Sequence, residues 1–412
     1  MPAVHAEGLY KVFGRRPQDA VRRLQDGATV AEVRERGATP AVVDVGFTVE
    51  PGEIFVVMGL SGSGKSTLIR MLNGLLEPTA GRVTIGDAEL TSLDARGVRR
   101  LRQERMSMVF QHFALFPHRS VVDNAAYALE VRGVDRSVRR ARALEALAEV
   151  GLAERADARP DQLSGGMKQR VGLARALAAE TDLLLMDEAF SALDPLIRRE
   201  MQDQLLDLQS RLGKTIVFIT HDLNEAMRLG DRVMVMRDGR VVQLGTPEQI
   251  LDQPADDYVA SFLADVDRGR VFTAEHVMAP APVVLAGASS PAAALDAMHA
   301  QHTSSALVVD GLGQLTGTVG EGDAQAAADA GETALTDGAV HPSVTVGPET
   351  LLADLLVSTG QDDHPVAVVD DTNRLLGVVP PTAVLAALGG ATAESHRPEP
   401  VTPDLTKEDP RG

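Results

Sequence analysis

The sequence predicts an α/β protein with a mostly parallel sheet, followed by a smaller, repeated α/β segment. Two observations indicate the sheet. Short apolar runs, such as 54–58 and 215–220, alternate with longer segments of helical periodicity over 1–265. A glycine-rich segment joins the first of these runs directly to a helical pattern. A third observation indicates the second part, because beyond residue 264 a new pattern begins and recurs once at a constant offset.

The glycine-rich segment is typical of a phosphate-binding loop. Residues 59–66 read Gly-Leu-Ser-Gly-Ser-Gly-Lys-Ser, between the strand predicted over 54–58 and a helix from Thr67. Glycines let backbone N–H groups turn inward around a polyphosphate, at the positive end of a helix. Lys65 would reach the outer phosphates, and the hydroxyl of Ser66 would join a magnesium ion that bridges them. A simple Gly/Ser turn is the alternative. The candidate ATP ligands here are Gly59, Leu60, Ser61, Gly62, Ser63, Gly64, Lys65, Ser66 and Thr67.

Two carboxylates follow the apolar run 183–186, which has the composition of a strand buried on both faces. Asp187 and Glu188 stand at its carboxyl end, where open α/β sheets bind ligands. In phosphate-loop ATPases the first carboxylate holds the magnesium shell, and the second is placed to polarise an attacking water. A solvated acidic helix start is the weaker alternative, because carboxylates that leave a buried strand must be compensated.

Residues 163–169, Leu-Ser-Gly-Gly-Met-Lys-Gln, complete a set of motifs that resembles the nucleotide-binding subunits of ATP-binding cassette (ABC) transporters. Taken alone, Ser164 reads as the cap of a helix over 167–177. The resemblance implies the P-loop NTPase fold of the ABC type, with a RecA-like core, a helical subdomain and an antiparallel β edge. It also implies a second copy of the chain, because Ser164, Gly165 and Gly166 of one subunit would close over the γ-phosphate held by the other.

The resemblance assigns roles to four further residues. Phe13 would stack on adenine, and Asp194 would lie in the loop that crosses the dimer interface. Gln111 would join the magnesium shell and sense the membrane partner, and His221 would contact the γ-phosphate. A core aromatic, an exposed loop amide and a helix cap are the plainer alternatives for Phe13, Gln111 and His221. The catalytic set is thus Glu188, His221 and Gln111, and the magnesium ligands are Ser66, Gln111 and Asp187.

Residues 186–198 resemble, more narrowly, the ATP-binding subunits of glycine betaine and proline importers. An insertion over 14–40 with two short helical patterns agrees with that branch, and 29–32 reads as a capping box for the second helix, which stops at Gly37. The branch implies two membrane-spanning permease subunits and an extracytoplasmic solute-binding protein or domain as partners. We expect the permease contact around 111–117, with core packing of the helical subdomain as the alternative.

Residues 304–319 align with 364–379 and predict strand, turn, strand in both copies, with helices over 290–300 and 350–358. The pair resembles tandem cystathionine-β-synthase-type (CBS) regulatory modules. The predicted organisation is an ABC ATPase domain over 1–265, a CBS pair over 266–390 with copies at about 270–331 and 332–390, and a disordered tail over 391–412.

The repeat carries a weak ligand signal. CBS modules that bind adenine nucleotides usually place a hydroxyl residue three positions before an Asp. Residues 320–323 keep only Asp323, and 380–383 keep neither group. An ion or another metabolite is therefore the favoured effector, and a purely structural dimerisation domain is an equal alternative. Residues 276–390 hold thirteen Asp and Glu against one Lys or Arg, which we interpret as a solvated surface in preference to a cation sensor.

Composition excludes several classes of protein. Zero cysteines exclude disulfides and thiolate chemistry. A net charge of −18 argues against nucleic acid, so a soluble ABC ATPase that acts on nucleic acid is the less favoured alternative, beside an importer ATPase for another small solute. No run reaches the roughly 18 apolar residues of a membrane span, and the start lacks a signal-peptide pattern. We expect a peripheral location at the cytoplasmic face of the membrane.

Overall fold

Residues 1–111, 113–264, 266–287, 289–336, 338–358 and 366–389 are described by the computed structural model of the protein. The chain divides into two units, Met1–Val266 and Asp267–Gly412. The tail expected to be disordered, 391–412, lies outside the described residues. None of the helices in the described ranges combines the length and the apolar composition needed to cross a membrane.

The first unit alternates strands and helices. Its strands are β1 Val4–Gly14, β2 Ala38–Val49, β3 Ile54–Met58, β4 Ala80–Ile85, β5 Ala88–Glu89, β6 Met106–Val109, β7 Leu183–Asp187, β8 Thr215–Thr220, β9 Arg232–Arg237 and β10 Arg240–Gly245. Its helices are α1 Pro17–Gln25, α2 Val30–Glu35, α3 Lys65–Leu72, α4 Ala95–Arg105, α5 Val121–Ala125, α6 Tyr127–Val131, α7 Arg136–Glu149, α8 Gly165–Ala178, α9 Pro195–Leu212, α10 Leu223–Leu229, α11 Pro247–Asp252 and α12 Asp257–Leu263.

A six-stranded sheet forms the centre of this unit, in the order β10-β9-β3-β8-β7-β6. Strands β9, β3, β8, β7 and β6 are parallel, and β10 pairs antiparallel with β9. Every residue of β3 and β8 is buried, as the uninterrupted apolar runs predict. The strands expected over 54–58 and 215–220 are confirmed. The strand after α8 is one residue longer than its apolar run, because Asp187 pairs with Ile219 in the ladder.

A second, antiparallel sheet in the order β2-β1-β4-β5 packs on one face of the central sheet. The rings of Phe47 and Phe55 join the two sheets in a stacked pair, with centroids 5.0 Å apart. Between β1 and β2 stand the two helices of the predicted insertion. The capping box of α2 is present, with both Thr29–Glu32 hydrogen bonds formed. Val21, Leu24 and Val33 of these helices are buried against β1 and β2.

Helices α5 to α8 form the helical subdomain that the family resemblance implies. The signature helix α8 begins at Gly165, two residues earlier than the apolar pattern suggested. The reason is local. Ser164 is the N-cap, and its hydroxyl accepts a hydrogen bond from the Met167 N–H at 3.3 Å, so both glycines already lie in the first turn.

The second unit contains the repeat. Its strands are β11 Val284–Ala286, β12 Ser305–Val309, β13 Leu315–Gly320, β14 Thr345–Val346, β15 Val366–Val369 and β16 Leu375–Val379. Its helices are α13 Ala274–Val277, α14 Pro291–Ala300, α15 Glu321–Asp329, α16 Leu352–Ser358 and α17 Pro381–Leu388.

The two copies of the repeat have one topology. Each forms a three-stranded sheet, β11-β12-β13 or β14-β15-β16, in which the first pair is parallel and the second antiparallel. The expected strand, turn, strand pattern is therefore confirmed in both copies. The two turns also pair with each other, since Leu315 N–H donates to Asn373 O at 2.9 Å and Leu375 N–H donates to Gly313 O at 3.2 Å.

Candidate nucleotide-binding and hydrolysis site

The phosphate loop joins β3 to α3, with backbone conformations that require glycine. Gly64 is the N-cap of α3 at φ +103°, and a Cβ there would lie 2.3 Å from Ala41 O. Gly59 has φ +150°, and its Cβ would lie 2.2 Å from Met236 O. Both values lie in the region that side-chain-bearing residues rarely adopt. The loop therefore keeps its backbone N–H groups at the start of a helix, where an anion is stabilised.

Lys65 lies inside this loop and is only 4 % exposed. Its ammonium donates to Gly59 O at 2.6 Å and to Leu60 O at 3.1 Å. Burial lowers the pKa of Lys65, and the charges of Glu188 and Asp187 act in the opposite direction. Two of the three N–H donors of the ammonium are used in these bonds, which leaves one that can donate to a phosphate oxygen.

Asp187 ends β7 on the same side of the sheet. Burial raises the pKa of its carboxyl, and the neighbouring charge of Glu188 raises it further. Arg70, Lys65 and a hydrogen bond from the Ser66 hydroxyl oppose that rise. Ser66 and Asp187, predicted from motifs more than a hundred residues apart, are therefore hydrogen-bonded, and the charge of Lys65 also acts on the Asp187 carboxyl.

Glu188 is the point at which three predicted residues meet. Its carboxylate oxygen Oε2 accepts from the Gln111 amide Nε2 at 3.2 Å and lies 3.1 Å from Nδ1 of His221. Its backbone is left-handed, at φ +46°, and its N–H donates to Ile219 O at 2.9 Å. Residues other than glycine rarely adopt a positive φ, and those that do concentrate at functional sites.

Ser191 belongs to this cluster, although the motif analysis gave it no separate role. Its hydroxyl accepts from Gln111 Nε2 at 3.3 Å and donates to Glu188 O at 2.9 Å. It thus links the loop after β6 to the turn after β7. The signal was its place three residues after Glu188, the spacing of a side-chain-to-backbone turn.

A buried network behind His221 was also missed. Glu225 is 4 % exposed; it accepts from the hydroxyl of Thr220 and, at 3.1 Å, from the amide of Gln202 on α9. Burial raises the pKa of Glu225. Arg198 of α9 pairs with Asp222 at 3.0 Å. The strand end that carries His221 is therefore fastened to the helix that follows the interface loop.

The signature residues lie on a different part of the subunit surface. Ser164 and Gly165 are exposed, whereas Gly166 is buried where a Cβ would meet Ile197 Cγ2 at 2.6 Å. Asp194 caps α9 by accepting from the Ile197 N–H at 3.1 Å. Across the described residues, no hydrogen bond joins the signature to the phosphate loop of the same chain.

Phe13 lies near the end of β1 and is 41 % exposed. The Lys11 ammonium lies 5.4 Å from its ring centroid. The ring is therefore not part of the core, and its exposure leaves it able to stack on a planar base.

The groups present fit magnesium with ATP. Ser66, Gln111 and Asp187 offer hydroxyl, amide and carboxylate oxygens, the ligands of a hard cation. The buried Ser63 hydroxyl has no hydrogen-bond partner within the described part of the chain, which a phosphate oxygen would supply. The same part contains no group of three or more His, Cys, Asp or Glu side chains that could hold a metal. Such an ion would therefore take its remaining ligands from phosphate and water.

Comparison with known proteins identifies the family. The sequence profile of the family described as "ABC transporter" matches residues 42–191. The glycine betaine/carnitine transport ATP-binding protein GbuA of Listeria monocytogenes is 48% identical over 392 residues, which cover 95% of this chain and 98% of that protein. The glycine betaine transport ATP-binding protein OpuAA of Bacillus subtilis is 48% identical over 388 residues, 94% of this chain and 92% of that one.

A solved structure is similar in fold. The dimeric, post-hydrolysis structure of the ATP-binding cassette MJ0796 bound to ADP and Pi has a TM-score of 0.50 and 31% sequence identity, over 59% of this chain and 98% of that one. The ABC-type ATPase fold expected from the motifs is thereby confirmed, and the CBS character of the repeat stays a prediction. The chain belongs to the ATP-binding proteins of ABC transporters, in the group of the glycine betaine transport systems, and is an ABC-type ATPase.

Proposed function

We propose that this ATPase energises the import of glycine betaine, or of a related quaternary amine or proline, through a membrane permease. One observation carries the catalytic part, namely the convergence of Gln111 and His221 on the carboxylate of Glu188 at 3.2 and 3.1 Å. The cargo is supported by the names of relatives that match nearly the whole chain.

In this mechanism Glu188 is the general base that takes a proton from the attacking water. Gln111 and His221 orient its carboxylate, and His221 is half exposed, so its ring can also reach the γ-phosphate. Lys65 and the backbone N–H groups of residues 59–67 hold the phosphates. Magnesium, when bound through Ser66, Gln111 and Asp187, would neutralise charge on the β- and γ-phosphates.

Two copies of the chain form the working unit in this proposal. Ser164 and Gly165 are exposed at the start of α8, away from the phosphate loop of their own chain, which supports their use by a second copy. Asp194, at the start of α9, lies beside the signature through the contact of Gly166 with Ile197. The related cassette of known structure is described as a dimer.

A cavity of about 630 Å³, lined by Phe110 and Ala114 on either side of Gln111 in the sequence, supports a permease-docking site. Its walls combine apolar side chains of β6 and the following loop with cations. The residues that line it are Arg99, Arg102, Gln103, Met106, Ser107, Met108, Phe110, Ala114, Phe116, Tyr127, Ala128, Val131, Arg132, Arg175, Ala176 and Ala179. A short permease helix would enter this cavity. His112, within the expected contact 111–117, lies outside the described residues.

The subunit binds peripherally at the cytoplasmic face, on two permease subunits that receive the solute from an extracytoplasmic binding protein or domain. The cargo does not contact the ATPase itself.

The docking site is tested by replacing Phe113 and Phe116 with Asp. Each change puts a charge on a half-buried apolar loop, so we expect uptake of labelled glycine betaine in reconstituted vesicles to fall at least tenfold. Basal ATP hydrolysis should fall less than about threefold. Val138→Asp, on the exposed face of α7, is the matched control. Unchanged uptake in both loop variants would contradict the site.

A further inference from the structure

Arg175, in the last turn of α8, binds the loop that follows Gln111. Its Nη1 donates to Ala114 O at 2.6 Å, and its Nη2 donates to Phe113 O at 3.2 Å. One planar guanidinium thus holds two consecutive backbone carbonyls, a geometry that the fixed fork of arginine suits and a lysine ammonium does not reproduce.

The two residues that it holds are in an unfavourable conformation. Phe113 has φ +56° and Ala114 has φ +48°, both in the left-handed region and neither of them glycine. Consecutive left-handed residues with side chains persist only where the surroundings fix them. The two carbonyl bonds from Arg175 are the contacts in the described structure that fix this pair directly.

Arg175 donates its hydrogen bonds to backbone carbonyls and not to a carboxylate. In the described part of the chain no carboxylate forms an ion pair with it, and burial lowers the pKa of its guanidinium. Close packing supports the contact. Gly172 lies one turn earlier on α8, and a Cβ added to it would lie 3.8 Å from Phe113 O. The guanidinium is half-buried, so it needs these two carbonyls as hydrogen-bond partners and holds the loop.

Arg175 also stands between two functional regions. The signature residues Ser164 to Gly166 form the start of α8, about 15 Å along the helix axis from Arg175. At the other end of the contact, Ala114 and Phe116 line the proposed docking cavity, and Arg175 lines it with them. A helix moves as a rigid element, so a displacement of the loop can be passed to the signature.

We propose that Arg175 is a positioning residue that couples permease docking to the signature helix, by holding the left-handed pair Phe113–Ala114 on α8. This inference rests on the proposed docking site. Arg175 contacts neither nucleotide nor catalytic groups in this account. It acts through the loop. The competing explanation is that Arg175 is a simple fastener, which only stabilises the helical subdomain.

The test uses the full chain, alone and reconstituted with its permease subunits, the solute-binding protein and glycine betaine. Arg175→Gln and Arg175→Lys should lower the permease-dependent stimulation of ATP hydrolysis at least tenfold and at least threefold, respectively. In the isolated subunit the KM for ATP and the basal rate should change less than about threefold. Arg170→Gln is the matched control, since Arg170 lies on the same helix and contacts Val150 O and Glu200, not the loop.

Rescue separates positioning from simple fastening. Ala114→Gly makes the left-handed conformation accessible without the help of Arg175. Combined with Arg175→Gln, it should restore at least a third of the lost stimulation, whereas a fastener of the subdomain would gain nothing from it. The inference is overturned if Arg175→Gln matches Arg170→Gln, if basal and stimulated rates fall equally, or if the glycine gives no rescue. A wild-type subunit that its permease does not stimulate would refute the docking site itself, and the inference with it.

Discussion

The first unit buries charged side chains, whereas no charged side chain among the described residues of the second unit is buried. In the first, Lys65, Asp187 and Glu188 are largely buried and meet at the carboxyl edge of one sheet. In the second, the ionic pairs stand on the surface, as in His299–Glu321 at 2.8 Å and His341–Asp323 at 3.3 Å. Charges buried together cost free energy that a ligand must offset, whereas exposed pairs contribute little. The first unit therefore depends on the identity of particular charged residues, whereas the second unit depends on its pattern of apolar positions.

The repeat illustrates the second kind of constraint. The apolar positions recur between its copies and form equivalent buried strands, and the turn residue Asp310 recurs as Asp370, whereas Asp323 is replaced by Ala383. Asp323, the one residue that matches a nucleotide-binding CBS module, is engaged by His341. We therefore expect substitutions of the charged side chains in the first unit to change catalysis. Substitutions in the second unit should change only its stability.

The largest expected effect is that of Glu188→Gln. The amide keeps the size of the side chain but cannot accept a proton, so ATP turnover should fall by about 10² to 10⁴ while ATP binding is retained. Steady-state hydrolysis and equilibrium nucleotide binding measure the two quantities. Glu200→Gln, an exposed carboxylate on α9, is the control. Near-normal turnover in Glu188→Gln would end its assignment as the base.

A smaller effect is expected from methyl groups added at equivalent glycines of the repeat. A Cβ at Gly317 would lie 2.4 Å from His341 O, and one at Gly377 would lie 2.8 Å from Ala279 O. Each alanine should destabilise the second unit by about 1–3 kcal/mol, with Gly317 the more costly. Thermal unfolding measures this cost, and Gly311→Ala, with open space around it, is the control.

The same variants sharpen the comparison of the units. Basal ATP hydrolysis should stay within about twofold of wild type, because the catalytic groups lie in the first unit. A parallel loss of hydrolysis and of stability would show that the two units are not separable in this way.

The smallest effect concerns pH and Glu225. Because burial raises the pKa of this carboxyl in the folded state, its contribution to stability is fully present below the unfolded pKa and is lost as pH rises through the folded pKa. Glu225→Gln should therefore remove part of the loss of unfolding free energy on going from acid to neutral pH. Denaturant unfolding of both proteins across that range measures it. Identical pH profiles would contradict a buried, proton-binding Glu225.

The motifs predicted most of the nucleotide site because they sit at strand ends, and parallel strands bring their carboxyl ends to one edge. This explains why Gln111 and His221 both reach Glu188, although they lie 77 and 33 residues from it in the sequence. The fold class and the strands of the repeat followed from apolar periodicity in the same way.

Other features carry no sequence signal. Left-handed backbone at Glu188, Phe113 and Ala114 is invisible in a sequence, because glycine is the usual marker of that conformation and none is present. The contact of Arg175 with Ala114 spans 61 residues and uses a backbone carbonyl, which no side-chain pattern specifies. The start of α8 was predicted too late because Gly165 and Gly166 in its first turn have low helix propensity.

The most direct test of the account is ATP hydrolysis by the subunit in vesicles with its permease and solute-binding protein, measured with and without glycine betaine. We predict that glycine betaine stimulates hydrolysis severalfold and that Glu188→Gln abolishes the stimulated rate. A rate that is the same with and without glycine betaine would contradict the proposed transport of this solute.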